Sequence, residues 1–256
     1  MKILIYGFAK SGTTVMAAVL LEQLREEIPE AELIMEPNTR ELQAFAAGDR
    51  PGVAKALVGN SKLGFGIAPS DIDPLLDSFD RVIYLERDPR DRLVSTYFHL
   101  AAIRVKSPWQ RIRISKALKR KHAKPYDITF RHLFDLLEDF PSRVTRHVDQ
   151  YAMIYKWLNK HKDQLEIITY EKWIAENSAT QTIPHLSRVK RSSIPEQWSY
   201  WYTMSDVALI KPFMEPVLKD MGRPCGLWPQ NTELDLAEES RAFLLKAWGY
   251  PFYLLK

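Results

Sequence analysis

At residues 7–14 the chain reads Gly-Phe-Ala-Lys-Ser-Gly-Thr-Thr, the most informative stretch of the sequence. The apolar run 3–6 before it predicts a short buried strand, and the run 15–21 after it predicts the start of a helix. A glycine-bounded loop between a strand and a helix is typical of phosphate binding, because backbone N–H groups and the positive end of the helix attract an anion.

The loop differs from that of ATP-binding proteins, in which a lysine and then a serine or threonine directly follow the second glycine. Here Thr13 follows Gly12, and Lys10 lies two residues before that glycine. A lysine in the earlier position reaches a different part of the ligand. The loop therefore fits a 5′-phosphate but not the usual magnesium triphosphate.

A second informative segment spans residues 81–99 and predicts a strand, a turn and a helix. Residues 82–85 are apolar and rich in β-branched side chains, as expected of a buried strand. Asp88 is suited to cap the helix that follows, and Pro89 is suited to its first position.

Two side chains of this segment predict a phosphate site. Arg87 follows the carboxyl end of the strand, where open α/β sheets bind ligands, and Ser95 lies about two helical turns further on. A guanidinium and a hydroxyl in these places suit a phosphate monoester. The alternative is a structural ion pair between Arg87 and either Glu86 or Asp91.

Together the two segments resemble the sulfotransferases that use PAPS, 3′-phosphoadenosine 5′-phosphosulfate. Residues 7–14 resemble the 5′-phosphosulfate loop of that family, and residues 81–99 resemble its 3′-phosphate segment, in the same order and separation. The resemblance implies PAPS as co-substrate and PAP as product. It also implies a cofactor site that includes the following residues: Lys10, Ser11, Gly12, Thr13, Thr14, Arg87 and Ser95.

The rest of the chain predicts an α/β fold, a single domain over residues 1–256 with a central parallel sheet flanked by helices. The resemblance makes this a P-loop-NTPase-like sulfotransferase fold. Residues 37–59 are expected to be helical or irregular, and residues 104–163 mostly helical. The predicted strands are 2–6, 32–36, 62–67, 81–86 and 165–170, and the predicted helices are 13–27, 70–78, 89–103, 205–221 and 235–248.

Two residues are predicted to act in catalysis. Lys10 lies in the loop, where a cation would stabilise charge on the leaving phosphate. Glu36 ends the second strand at the same sheet edge, where partial desolvation would make it a stronger base. The Glu36-Pro37 pair is similar to that of carbohydrate sulfotransferases, whose glutamate is regarded as the base, although a strand-end glutamate can simply solvate a turn. His99 is the rival base, but in its helix it resembles a packing residue.

Further cofactor contacts are implied by two later segments. Tyr170 follows a strand and resembles the family tyrosine that reaches the adenine, although a core role is equally open. The segment 188–198 resembles the basic loop that closes on the 3′-phosphate, with serines where glycines are expected. It adds Arg188, Lys190 and Arg191 to the predicted site, with Trp198 as a trial partner for adenine stacking.

Composition limits the other classes of protein. The 256 residues, 46% hydrophobic and 27% charged, are typical of a globular protein with one sizeable core. One cysteine suits a reducing compartment, and no stretch resembles a signal peptide or a membrane span, so we expect a cytoplasmic enzyme. The net charge of +4 needs no nucleic-acid partner, because PAPS is itself a polyanion. No metal is expected, since no Cys/His cluster has zinc spacing.

The acceptor region is less well defined. Residues 104–124 contain nine lysines and arginines, a pattern that fits an anionic small-molecule, glycan or lipid acceptor, a membrane surface or a solvated helix face. Two other functions stay open at this point. One is a P-loop kinase or nucleotide-binding protein that uses ATP or GTP, and the other is a PAP-binding module without activity.

Overall fold

The computed structural model describes residues 1–59, 66–177, 196–226, 228 and 236–249. Its contacts divide the chain into two compact units. The first unit comprises Met1–Arg87 and Ile154–Leu186, and the second comprises Asp88–Met153 and Ser187–Lys256. The single domain over residues 1–256 stays a prediction.

The first unit contains a five-stranded parallel sheet with the strand order β2-β3-β1-β4-β5. The predicted α/β class and parallel sheet are therefore confirmed. The strands predicted near residues 2–6, 32–36 and 81–86 agree with the structure to within one residue. The strands are β1 Lys2–Gly7, β2 Glu32–Met35, β3 Gly52–Leu57, β4 Arg81–Glu86 and β5 Glu166–Thr169.

The prediction for residues 37–59 missed a strand. This region forms the helix α2, Thr39–Ala47, and then β3, which lies between β1 and β2 and is buried along its whole length. The sequence of this strand is not typical of a buried strand, because it begins with a glycine and has a lysine in its middle. Gly52 is required there, because a Cβ would lie 2.3 Å from the carbonyl oxygen of Glu32 on β2.

The short strand predicted at residues 62–67 falls mostly outside the described residues. Ile67, which is described, forms an isolated parallel bridge with Val58 directly after β3. The helix predicted at residues 70–78 is α3, Pro69–Ile72, followed by a 3-10 helix over Asp73–Ser78.

The helices of the first unit pack against the sheet through apolar side chains. The helix α1, Thr13–Glu27, agrees with the predicted bounds and buries Met16 and Leu24 against Ile3 and Ile83 of the sheet core. The helix α8, Tyr170–Glu176, begins directly at the end of β5, so Tyr170 is the first helical residue rather than the last residue of a strand. These helices and the sheet bury a common core.

The second unit is helical, as predicted for residues 104–163. Phe130 lies at the centre of its aromatic core, with ring centroids 5.6 Å from Tyr97 and 5.2 Å from Tyr202. None of the helices in the described ranges is long and apolar enough to cross a membrane. The helices of this part are α4 Pro89–Arg104, α5 Pro108–Ala123, α6 Phe130–Asp135, α7 Phe140–His161, whose end belongs to the first unit, α9 Trp198–Trp201, α10 Met204–Asp220 and α11 Ala237–Ala247.

A fully buried lysine lies in the second unit. The ammonium of Lys121 donates hydrogen bonds to the carbonyl oxygens of Pro125 at 2.8 Å and Ile128 at 2.9 Å. It also lies 5.6 Å from the ring centroid of Tyr200. Burial lowers the pKa of Lys121 to about 8, and the charge of Asp206 offsets only part of that effect. The charged form therefore opposes folding in the range where the free lysine is still protonated.

We expect Lys121 to make stability depend on pH. Between pH 8 and its ordinary pKa of 10.5 the unfolded chain binds more protons at this site than the folded protein. The free energy of unfolding should therefore rise with pH in this window, by about 1 kcal/mol per pH unit from this group. Urea unfolding at several pH values should show that Lys121→Met lacks this contribution. Parallel pH profiles for the two proteins would contradict it.

Candidate active site

The strand order predicts a ligand site at the carboxyl ends of β1 and β4. These strands are neighbours, yet the chain leaves β1 towards β2 on one side of the sheet, whereas the strand after β4 is β5 on the other side. Ligands of open α/β sheets bind where the direction of the connections changes in this way. The Lys10 loop follows β1, and Arg87 follows β4, so both predicted phosphate segments begin at this point.

The loop after β1 has the backbone of an anion site. Lys10 and Gly12 adopt left-handed conformations, with φ of 71° and 85°, and the N–H of Ser11 donates to the carbonyl of Phe8 at 3.2 Å. Gly12 is the N-cap of α1, and no side chain caps this helix or brings an acidic charge to its first turn. The N–H groups at the start of the helix thus lack a helical acceptor and suit an external anion.

Ser11 provides a further sign of a ligand. Its side chain is buried, and its hydroxyl oxygen has no hydrogen-bond partner within the described residues. A buried hydroxyl without a partner is unfavourable unless a ligand or water completes its hydrogen bonding. Together with the loop backbone, this hydroxyl fits a phosphate or sulfate group.

The two predicted phosphate segments are in direct contact. The Arg87 guanidinium donates to the carbonyl oxygen of Lys10 at 2.6 Å and lies 4.7 Å from the centroid of the Tyr170 ring. That ring packs on Gly12 so closely that a Cβ at Gly12 would lie 2.3 Å from it. A cation–π contact and a charge-assisted hydrogen bond thus fix the loop on one side.

Glu86 and Asp91, the alternative ion-pair partners of Arg87, both accept hydrogen bonds from other residues. Glu86 accepts a hydrogen bond from the hydroxyl of Tyr155. In the second unit, Asp91 accepts from the backbone N–H groups of Glu196 at 2.8 Å and Trp198 at 2.9 Å. Arg87 itself contacts the Lys10 loop and Tyr170.

Glu36, the predicted base, lies directly after β2 and has an unusual backbone. Its φ is 53°, and its N–H donates to the carbonyl of Lys55 on β3 at 2.8 Å. Left-handed conformations are uncommon for residues other than glycine. The strained ones occur at functional sites more often than elsewhere. Its side chain is 55% exposed, so the partial desolvation expected from the sequence is not seen.

Lys55 is a site residue that the sequence analysis missed. Its side chain is only 3% exposed, and its ammonium forms an ion pair with the Glu36 carboxylate. A buried ammonium is costly without an anionic partner, so the pair fixes the direction of the carboxylate. The sequence did contain a signal for Lys55. It is a single lysine inside an otherwise apolar run between Pro51 and Gly59, a pattern typical of a buried strand that carries one functional polar side chain.

The second unit contains the remaining predicted residues that are described. Asp88 caps α4 as predicted and accepts from the N–H of Arg90 at 2.8 Å. Ser95 is partly exposed on this helix. His99 is exposed, so its predicted packing role is wrong. Contact of Ser95 with a phosphate stays a prediction.

The trial assignment of Trp198 to adenine stacking disagrees with the structure. The side chain is buried, the guanidinium of Arg90 lies 4.1 Å from its ring centroid, and Trp228 packs on it at 5.6 Å. This environment leaves no exposed ring face for a base. The predicted contacts of Arg188, Lys190 and Arg191 lie outside the described residues.

The described residues contain no group of three or more His, Cys, Asp or Glu side chains arranged to hold a metal ion. The polar groups of the candidate site are instead a loop of backbone donors, two lysines, an arginine, a tyrosine and a glutamate.

Comparison with family models gives a match to part of the chain. Residues 69–181 match the family model described as a sulfotransferase domain, a stretch that contains the Arg87 segment and Tyr170 but begins after the Lys10 loop. No curated protein sequence matches the chain.

Solved structures give weaker likenesses. Mouse sulfotransferase SULT7A1 complexed with PAP is 16% identical, with coverage of 91% of this chain and 73% of that chain and a TM-score of 0.34. Retinol dehydratase in complex with androsterone and the inactive cofactor PAP is also 16% identical, with coverage of 96% and 80% and a TM-score of 0.34.

The contact between Gly12 and Tyr170 can be tested by comparing two glycines. Gly12→Ala should lower the free energy of unfolding by about 3 kcal/mol or more, because a left-handed alanine is strained and its Cβ would overlap the ring. Gly222→Ala is the matched control, since Gly222 has a φ of 62° but open space around it, and about 1 kcal/mol is expected. Equal losses in urea unfolding would contradict the close packing of Tyr170 on the loop.

Proposed function

We propose that this chain is a sulfotransferase that transfers a sulfuryl group from PAPS to a hydroxyl or amine of a small-molecule, lipid or carbohydrate acceptor. One observation carries the assignment to these residues. The Arg87 guanidinium is bonded to the Lys10 loop, 77 residues earlier in the chain, and stacks on Tyr170. Two segments that resemble the 5′-phosphosulfate loop and the 3′-phosphate segment of the sulfotransferase family thus meet at one sheet edge.

The residues present fit PAPS. The N–H groups from Gly12 to Thr14, the hydroxyl of Ser11 and the ammonium of Lys10 would hold the 5′-phosphosulfate. The unpartnered buried hydroxyl of Ser11 supports this assignment. The ring of Tyr170 packs on Gly12 of the loop. Contact of Tyr170 with the adenine stays a prediction.

The 3′-phosphate would be held by charge and hydrogen bonding. Arg87 would supply the guanidinium, and Ser95 a hydroxyl. The predicted contributions of Arg188, Lys190 and Arg191 belong to the same proposal.

The chemistry assigned to the chain is proton removal and charge stabilisation. PAPS supplies the sulfuryl group, whose bond to the phosphate oxygen breaks as a bond to the acceptor oxygen or nitrogen forms. Glu36 accepts the proton of the acceptor, and Lys55 holds its carboxylate in place. Lys10 and the loop N–H groups stabilise the negative charge that grows on the leaving phosphate. No metal ion has a part in this proposal.

A cytoplasmic location is also part of the proposal. It rests on the single cysteine of the sequence, which suits a reducing compartment.

The 3′-phosphate assignment can be tested with two ligands, PAP and adenosine 5′-phosphosulfate, which lacks the 3′-phosphate. Ser95→Ala should weaken PAP binding by roughly tenfold, because one hydrogen bond to a charged group is lost, and should leave adenosine 5′-phosphosulfate binding unchanged. Arg87→Ala should weaken PAP binding by up to about a hundredfold. It should also weaken the second ligand to a smaller extent, since the Lys10 carbonyl loses its donor. Calorimetric titration measures all four affinities. Equal losses for both ligands in Ser95→Ala would remove Ser95 from the site.

The catalytic assignment is tested by charge removal at the base. Glu36→Gln should lower turnover on the order of a hundredfold or more while PAP affinity stays near normal, because the base is lost but the nucleotide contacts remain. Lys10→Ala should also lower turnover, because the cation beside the leaving phosphate is lost. The hydrogen bond from Arg87 to the backbone carbonyl of residue 10 does not involve the side chain, so it should remain. Glu32→Gln, at the other end of β2 and paired with the exposed Arg50, is the matched control and should keep full activity.

Lys55 adds a positioning test to the same assay. Lys55→Met should lower kcat with little change in PAP affinity. Lys55→Arg should retain part of the activity, because arginine again supplies a cation that can pair with Glu36. If Glu36→Gln keeps most of its activity at neutral pH, the base lies elsewhere, and the exposed His99 is the next candidate.

A further inference from the structure

The outward face of α5 is composed of apolar and basic side chains only. Its exposed residues follow helical spacing, so they form one stripe along the helix. We call this stripe the α5 face, and it consists of Trp109, Ile112, Arg113, Lys116, Lys119 and Arg120.

The opposite side of the helix fixes it to the protein. Ile114, Ala117 and Leu118 are buried in the aromatic core of the second unit. Arg111 donates to the carbonyl oxygens of Val105 at 3.1 Å and Trp248 at 3.2 Å, so this cation has a structural role. The α5 face therefore points outwards from a firmly packed helix.

Within the part of the chain that the structure describes, no carboxylate neutralises the cations of the α5 face. Residues 104–124 contain no aspartate or glutamate. The four cations of the face form no salt bridge within the described residues. The described salt bridges of this region lie at its ends, from Arg104 to Glu138 at 3.5 Å and from Lys124 to Asp127 at 3.7 Å. Such a stripe attracts an extended anionic partner.

The apolar part of the face distinguishes among anionic partners. Trp109 is 77% exposed and Ile112 is 40% exposed, and Ile103, at the end of α4, is 48% exposed. A soluble polyanion is bound by the cations but offers no apolar layer to receive the aliphatic side chains of Ile103 and Ile112. A lipid surface uses both, because cations meet the headgroups while tryptophan and aliphatic side chains enter the boundary between headgroups and acyl chains.

We propose that the α5 face binds the surface of a membrane that contains anionic lipids. The helix is 16 residues long, or about 24 Å, and would lie along the bilayer surface. Trp109 and Ile112 insert at the amino-terminal end of the helix, and Lys116, Lys119 and Arg120 meet the headgroups further along. The inference does not depend on the sulfotransferase activity, since none of these residues belongs to the candidate active site.

Vesicle co-sedimentation tests the basic part of the face. The wild-type protein should bind vesicles of phosphatidylcholine with about 30 mol% phosphatidylserine, and should bind phosphatidylcholine alone far more weakly. The triple variant Lys116→Gln, Lys119→Gln, Arg120→Gln should bind the anionic vesicles on the order of a hundredfold more weakly. A second triple variant removes the same charge from exposed lysines elsewhere and should bind almost as the wild type does. It consists of Lys156→Gln, Lys162→Gln and Lys219→Gln.

The apolar part needs its own comparison. Trp109→Ala combined with Ile112→Ala should weaken vesicle binding by about tenfold and leave binding to dextran sulfate, a soluble polyanion, unchanged. Phe213→Ala is the matched control, since Phe213 is an aromatic side chain of another helix and is 49% exposed. All the substituted side chains are exposed, so circular dichroism should show unchanged folding.

Two results would overturn the proposal. Equal vesicle binding by the two triple variants would show that only net charge matters, not the α5 face. Full vesicle binding by the Trp109→Ala, Ile112→Ala variant would show that no side chain inserts, and the face would then be a site for soluble polyanions.

Discussion

The hydrogen bond from the Arg87 guanidinium to the carbonyl of Lys10 is the contact on which the candidate site depends. It joins the ends of two adjacent parallel strands, β1 and β4, at the point where the chain connections change direction. The ring of Tyr170 stabilises this arrangement, because it packs on Gly12 and makes a cation–π contact with Arg87. The loop conformation is thus set by the protein itself, so a bound nucleotide would lose little free energy to ordering it.

The same edge of the sheet carries unfavourable features that packing alone does not explain. Lys10 and Glu36 both have left-handed backbones, and such strain costs about 1–3 kcal/mol per residue. Lys55 places an ammonium inside a strand that is buried throughout. Lys10 and Glu36 follow β1 and β2, and Lys55 lies in β3, the strand between them. Their grouping supports a functional role, because scattered strain of this size would only destabilise the fold.

Local patterns allowed much of this site to be predicted from the sequence. The Lys10 loop and Arg87 follow apolar runs and precede helices, and these short-range signals gave the right elements. Lys55 was missed because Gly52 and Lys55 itself interrupt the apolar pattern of β3. The burial of this strand depends on pairing with strands that are distant in sequence. Trp198 was misjudged for a similar reason, since its partner Arg90 lies more than a hundred residues earlier. The contact between Trp198 and Arg90 has no signature in a single sequence.

We expect the sheet edge at the carboxyl ends of β1 and β4 to bind a nucleotide with a 3′-phosphate and without a metal ion. Calorimetric titration of the wild-type protein in the presence of EDTA tests it most directly, with PAP and ADP compared under the same conditions and ATP with magnesium titrated separately. PAP should bind at least about tenfold more tightly than ADP, because only PAP offers the 3′-phosphate to a guanidinium. Binding of ATP with magnesium that equals or exceeds that of PAP would contradict the account.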